Sequence, residues 1–251
     1  MRLIKMNIAV IPSRFGSKRF RGKPLAMISG KTLIQRAYEQ AVKAENIRKV
    51  VVATDDTRIF EAVNAFGGEA LMTSQDLRSG TDRVAQASTL LKAAPEDIII
   101  NIQGDQPVFA PQCLDQLIEP FKKDQTLNMA TLAVKNDKTE QMSNPDNVKV
   151  VFDRNQSALY FSRSKIPFYR DISENEIWYK HLGFYAYRKK FLDHIAGLPD
   201  TRLENIEKLE QLRVLEHGYK IRVVITEYHS QSVDVREDIE LIEKDLKHPM
   251  E

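Results

Sequence analysis

Three short apolar runs constrain this chain more than any other feature. MNIAVIP (6–12), KVVVATD (49–55) and DIIINIQ (97–103) carry hydrophobic residues at successive positions instead of alternating with polar ones. A strand apolar on both faces must be covered on both, as in a parallel sheet flanked by helices. The segments between the runs have helical spacing at 33–44, 57–66 and 81–92, and 69–73 reads as a further short strand. Gly67-Gly68 stops the second helix. This β-α-β-α order predicts an α/β, Rossmann-like fold with a mostly parallel central sheet and helices on both faces. Ligands bind such sheets beyond the carboxyl ends of the strands.

The second half has a different texture. Residues 148–152 and 158–162 flank the turn Asp153-Arg154-Asn155 and predict a hairpin, and 179–187 alternates as a strand. A single helix is expected over 202–217, ended by Gly218, then a strand at 221–226 and a terminal helix from about 237. With no Pro- or Gly-rich linker, the reading is one domain over 1–251 with a β-rich insertion at about 125–190. Against 37 basic residues stand 35 acidic ones, a net charge of +2, which argues against a general polyanion binder. The single cysteine, Cys113, suits a reducing cytosol. No apolar stretch approaches the ~20 residues of a membrane span, and the N-terminal segment lacks a small-residue cleavage site. The expectation is a cytoplasmic protein.

Against that near-neutral background, PSRFGSKRFRGKPL places Arg14, Lys18, Arg19, Arg21 and Lys23 within ten residues, directly after the first core strand. Backbone N–H groups and cationic side chains at such a place can cradle phosphates. The loop is not a Walker A motif: five residues separate its glycines, and Pro24 stands where Ser or Thr would hold magnesium. A solvated basic surface loop is the plain alternative.

Gly104-Asp105 ends the most apolar strand, where a carboxylate beside a glycine suits magnesium bridging protein and phosphate oxygens. A turn aspartate capping its own backbone is the alternative. Asp234 has N-cap and capping-box spacing to Glu237, and can be a second metal ligand only if it converges on Asp105. In HLGFYAYR, alternation puts His181, Gly183, Tyr185 and Tyr187 on one face, either toward a polyhydroxylated ligand or as a wet outer face. Glu210 and Gln211 fall on the predicted 202–217 helix, whose apolar face is Leu203, Ile206, Leu209 and residues 212–215.

Taken in order, PSRFGSKRFRGKPL, VVATDD, SGTDR, NIQGDQP, ALYFSRSKIP, HLGFYAYR, LEQLRVLE and SVDVRED resemble the 3-deoxy-manno-octulosonate cytidylyltransferase family over about residues 7–246. The resemblance implies a nucleotidyltransferase that moves CMP from CTP to the anomeric hydroxyl of an eight-carbon sugar acid, for lipopolysaccharide biosynthesis. It implies that Arg14 and Lys23 hold the triphosphate and that Ser79, Gly80, Arg83 and Gln103 line the nucleotide side. Asp105 and Asp234 would hold Mg2+, and Arg163, His181, Tyr185, Glu210 and Gln211 would face the sugar acid. It also implies a homodimer with the insertion at subunit contacts. No dedicated base is expected, since metal and cations can neutralise the phosphates and stabilise the leaving pyrophosphate.

The chain departs from the family pattern at Arg21, Asp82, Gln106, Val235-Arg236 and the TRLENIEKLEQLR segment. Asp82, Gln106 and that segment resemble a branch acting on the 8-amino sugar, where Glu204 or Glu207 would meet the added ammonium. A nucleotide-sugar glycosyltransferase would present Asp-x-Asp after a strand, and Asp105-Gln106-Pro107 lacks the second Asp. A nucleic-acid module would need a basic stripe with interleaved aromatics, which is absent.

Overall fold

Every hydrophobic residue of the first strand, β1 (Asn7–Ser13), is buried, and the two sheet faces take alternate ones. The computed structural model describes residues 5–16, 19–171 and 176–247. β1 is flanked by two parallel neighbours, β2 (Lys49–Thr54) and β4 (Ile98–Asn101), and β3 (Ala70–Met72) continues the parallel set beside β2. Ala9, Ile11, Val52 and Ile100 face one core, while Ile8, Val10, Ala53 and Ile99 face the other. This is what the uninterrupted apolar runs require, each fully buried side chain contributing about 1.5–3 kcal/mol.

Helices α1 (Leu33–Val42), α2 (Thr57–Ala65) and α4 (Gln112–Lys123) cover the first face. Helices α3 (Gly80–Leu90) and α5 (Lys189–Ala196) cover the second. Thr32, Asp56 and Ser79 cap α1, α2 and α3 through their side-chain oxygens.

The insertion extends the same sheet. Its strands are β5 (Met129–Asn136), β6 (Lys149–Phe152), β7 (Ala158–Ser162) and β8 (Trp178–Arg188). β6 and β7 form the expected hairpin. β8 runs antiparallel to β5 along one edge, and its other edge meets β4 at Tyr185–Arg188 and β6 at Lys180. β9 (Arg222–Thr226) then pairs parallel to β5, completing a nine-stranded sheet. The register of β8 shifts between His181 and Tyr185, where Gly183 adopts a left-handed φ of 77°.

Expectation and structure differ in two elements. The single helix over 202–217 is two, α6 (Arg202–Glu207) and α7 (Gln211–Glu216), separated where Lys208 turns left-handed at φ 55°. The Glu207 carboxylate accepts from the Ser162 hydroxyl at 2.6 Å and the Arg163 N–H at 2.9 Å, which holds the chain in the break. Arg213 and Glu204, both buried, close the angle between the helices with bonds of 2.5 and 2.8 Å. Removing Arg213 would leave the buried Glu204 carboxylate without its cation, at about 3–5 kcal/mol, whereas Arg213 without Glu204 would keep Asp200 at 3.3 Å. Ile206, expected on the apolar face, is 63% exposed.

At α8 (Glu237–Lys247), Asp234 does not act as the cap. The Asp238 carboxylate instead accepts from the backbone N–H groups of Asp234 and Val235 at 2.6 and 2.9 Å. That leaves the Asp234 side chain free to face elsewhere.

Candidate active site

A cleft of about 850 Å³ opens beyond the carboxyl ends of β1 and β4 and is walled on one side by β8, the 208–210 turn and α7. The basic loop crosses its mouth. Phe15 anchors the loop: Gly22 donates its N–H to the Phe15 carbonyl at 2.9 Å, and Arg58 stacks on the ring with its guanidinium carbon 3.3 Å from the centroid. A Cβ on Gly22 would meet that ring at 3.1 Å, and its φ of 76° also favours glycine.

The loop cations divide. Lys23 donates to Asp105 Oδ2 at 2.9 Å and to the Val233 carbonyl at 2.7 Å, and Arg19 reaches Asp234 Oδ1 at 2.7 Å. Arg14 lines the cleft, exposed and without a partner among the described residues. Arg21 instead lies against Phe15, outside the cleft lining, and Lys18 falls outside the described residues.

Asp105 does not cap its own turn. Its carboxylate pairs with Lys23, and its carbonyl accepts the Val233 N–H at 2.8 Å, which brings the 232–234 segment alongside. Gly104 is needed for its neighbour, because a Cβ there would strike the Pro12 carbonyl at 2.8 Å. Asp105 and Asp234 therefore both line the cleft mouth, near enough to influence each other electrostatically. Burial raises the Asp234 pKa above the usual carboxylate value; Arg19 opposes that shift and the Asp105 carboxylate adds to it. Among the described residues no cluster of three His, Cys, Asp or Glu forms a closed metal cage. Two converging carboxylates fit a hard cation that takes its remaining oxygens from phosphate and water.

The inner end is lined by Ser79, Gly80, Arg83 and Gln103. Ser79 Oγ accepts the Asp82 N–H at 3.1 Å as the cap of α3, so the positive end of that helix opens on the cleft. Gly80 lies beside Pro12, where a Cβ would stand 3.7 Å from the ring. Arg83 is buried, and its guanidinium is already bonded to Asp55 at 2.7 Å and Thr73 at 2.5 Å. It braces the wall more than it presents a charge.

On the opposite wall His181, Tyr185 and Tyr187 are buried, so the wet outer-face alternative fails. The Thr131 hydroxyl donates to the Phe184 carbonyl at 2.7 Å and so accepts from His181 Nε2 at 2.8 Å. Burial drops the His181 pKa to about 3, and the ring is neutral. The Tyr185 hydroxyl donates to Gln211 Oε1 at 3.0 Å, and Glu210 accepts from Thr81 at 2.7 Å, linking α7 to the start of α3.

Arg163 lines the same wall but donates to the carbonyls of Glu207 and Pro145 at 2.8 and 3.0 Å, so its first task is to hold the helix break. Glu204 and Glu207, nominated for an 8-amino group, lie outside the cleft lining, the first neutralised by Arg213.

Several lining groups escaped the sequence reading: Asn101, Lys180 and the pairing of Arg19; Gln106 entered it only as a departure from the family pattern. Asn101 had a signal, as the polar interruption of DIIINIQ. Ser13, Asn101, Gln106 and Gln211 each carry a buried polar atom with no partner, all on the cleft. Unsatisfied buried polar atoms gathered in one cleft mark where a ligand bonds.

Comparison with known proteins agrees with this geometry. A family model described as Cytidylyltransferase matches residues 8–221. A 3-deoxy-manno-octulosonate cytidylyltransferase from Desulfosudis oleivorans is 54% identical over 235 residues, 94% of this chain and 95% of that protein. An 8-amino-3,8-dideoxy-manno-octulosonate cytidylyltransferase from Shewanella pealeana is 49% identical over 243 residues, 96% of this chain and 99% of its own length. The solved structure of a CMP:2-keto-3-deoxy-manno-octonic acid synthetase complexed with CTP superposes with a TM-score of 0.90 at 39% identity, over 98% of this chain and 100% of that one. With a Rossmann-like fold, a cation-rimmed cleft and relatives matched along nearly the whole length, this chain belongs to the cytidylyltransferase family, among the 3-deoxy-manno-octulosonate cytidylyltransferases and their 8-amino relatives.

Proposed function

We propose that the chain transfers CMP from CTP to the anomeric hydroxyl of 3-deoxy-manno-octulosonate, releasing pyrophosphate. One observation carries the reading: a single cleft joins loop cations and paired carboxylates to a wall of His181, Tyr185 and Gln211. The first set suits a triphosphate and the second a polyhydroxylated acid. Arg14 and Lys23 would meet the triphosphate oxygens, while Ser79, Gly80 and Gln103 bound the nucleotide and Arg83 braces their wall. Asp105 and Asp234 would hold magnesium, which neutralises charge on the phosphates. Arriving phosphates would draw Lys23 and Arg19 from their carboxylates, an exchange of like ion pairs with little net electrostatic cost. Neutral His181, with Tyr185, Glu210 and Gln211, would orient the sugar hydroxyls, since in-line attack depends on alignment.

The 8-amino sugar is a second reading, favoured by Asp82, Gln106 and the 202–208 segment. Comparing kcat/KM for the two acids at saturating CTP separates them. The parent acid is expected to be preferred by about tenfold or more, because the carboxylates nominated for an ammonium lie outside the cleft. Preference for the amino sugar by the same margin would reverse the assignment.

The chain is also proposed to be a cytoplasmic homodimer, where the CTP pool lies. Among the described residues no helix is long and apolar enough to cross a membrane. Leu159 on β7 is 62% exposed, Phe168 84% and Ile206 63%, apolar surface that a second subunit would cover. Light scattering at micromolar protein should give twice the 28.8 kDa chain mass, and a monomer mass would overturn this.

A further inference from the structure

Lys180 stands on β8 immediately before His181 and lines the cleft. Its backbone is fixed on both edges, opposite Val134 of β5 and Lys149 of β6. Its side chain is half-buried, and no hydrogen bond or ion pair holds the ammonium among the described residues. Burial pushes its pKa below the usual lysine range, and no carboxylate offsets that. A cation left this way is costly to the fold unless something else answers it.

Most other cations around the cleft are answered; Lys208, also unpaired among the described residues, is exposed at the helix break, off the β8 wall. Lys23 has Asp105, Arg19 has Asp234, Arg83 has Asp55 and Arg213 has Glu204. Arg163 is fixed to backbone carbonyls at the helix break. Arg14, also free, belongs to the basic loop at the mouth. Nor does the floor supply an anion near Lys180: neutral Gln106 reaches β8 two residues away, donating to the Leu182 carbonyl at 2.6 Å. Gln106 Oε1 and Gln211 Nε2 remain unpartnered on the same cleft, ready to bond polar groups of a ligand.

Resting on the transfer reaction above, we propose that Lys180 binds the carboxylate of the acceptor acid, supplying the unmatched positive charge on the β8 wall. An ammonium–carboxylate contact in a partly dry cleft also selects acids over neutral sugars, whose hydroxyls would leave the ammonium unpaired.

Lys180→Met keeps the length of the stem and removes the charge. Pyrophosphate release should show the KM for the octulosonate rising about ten- to hundredfold, with the KM for CTP within about threefold of wild type. Lys180→Arg should recover most of the loss. Independently of any variant, calorimetry on the wild-type protein should show the acid binding at least about tenfold tighter than its C1 carboxamide, and Lys180→Met should erase that difference. The proposal is overturned if Lys180→Met leaves the acid KM within threefold, if both KM values rise equally, or if wild type binds acid and carboxamide alike. Failure of the transfer reading looks different: wild type would release no pyrophosphate with any octulosonate, while the acid-against-carboxamide comparison still decides the role of Lys180.

Discussion

Asp105→Asn is expected to lower turnover by about a thousandfold or more at saturating CTP and sugar acid, without unfolding the protein. The amide keeps the shape of the carboxylate and can still accept from Lys23, but it lacks the charge that a divalent cation needs. The fold should tolerate the change, because the Lys23–Asp105 pair is partly exposed, with side chains 14% and 32% accessible, and such pairs contribute about 1 kcal/mol or less. The variant should also lose the magnesium-binding heat seen when the CTP complex is titrated with the metal. Activity within tenfold of wild type would remove Asp105 from the metal site.

Lys23→Ala should weaken CTP by about ten- to hundredfold and leave cytidine binding within about twofold. The reason is in its contacts. The ammonium sits between Asp105 and the Val233 carbonyl at the rim of the cleft, where it can turn to a phosphate but has no base or ribose to serve. Equal weakening of both ligands would mean that Lys23 acts by holding the 232–234 segment in place, as a structural tie.

The parallel half of the fold was legible because burial on both faces leaves its mark residue by residue. No polar alternation could hide inside KVVVATD or DIIINIQ. The sheet's catalytic end followed, and with it the places of the basic loop and Asp105. What stayed hidden depends on partners distant in the chain. The break at Lys208 lies inside a pattern that continues with helical period, and Arg163 and Ser162, 44 and 45 residues before Glu207, hold it open through that carboxylate. Asp234 and Asp238 both have cap-like positions, and local spacing cannot tell which carboxylate turns to the helix and which to the cleft. Arg163 and Arg83 were legible as cleft residues but not as braces, since their bonds are to carbonyls and to Asp55. Lys180 was missed for a related reason: a lysine on an alternating strand reads as solvated until the strands beside it are known.

The proposed reaction requires one cleft to couple CTP to an octulosonate. Incubating the protein with CTP, magnesium and 3-deoxy-manno-octulosonate, and counting pyrophosphate and CMP-sugar together, tests it most directly. The expected result is one pyrophosphate per CMP-sugar, with release requiring both substrates and failing when another nucleoside triphosphate replaces CTP. Pyrophosphate released at the same rate without the sugar acid, or no release with either the parent acid or its 8-amino analogue, would contradict it.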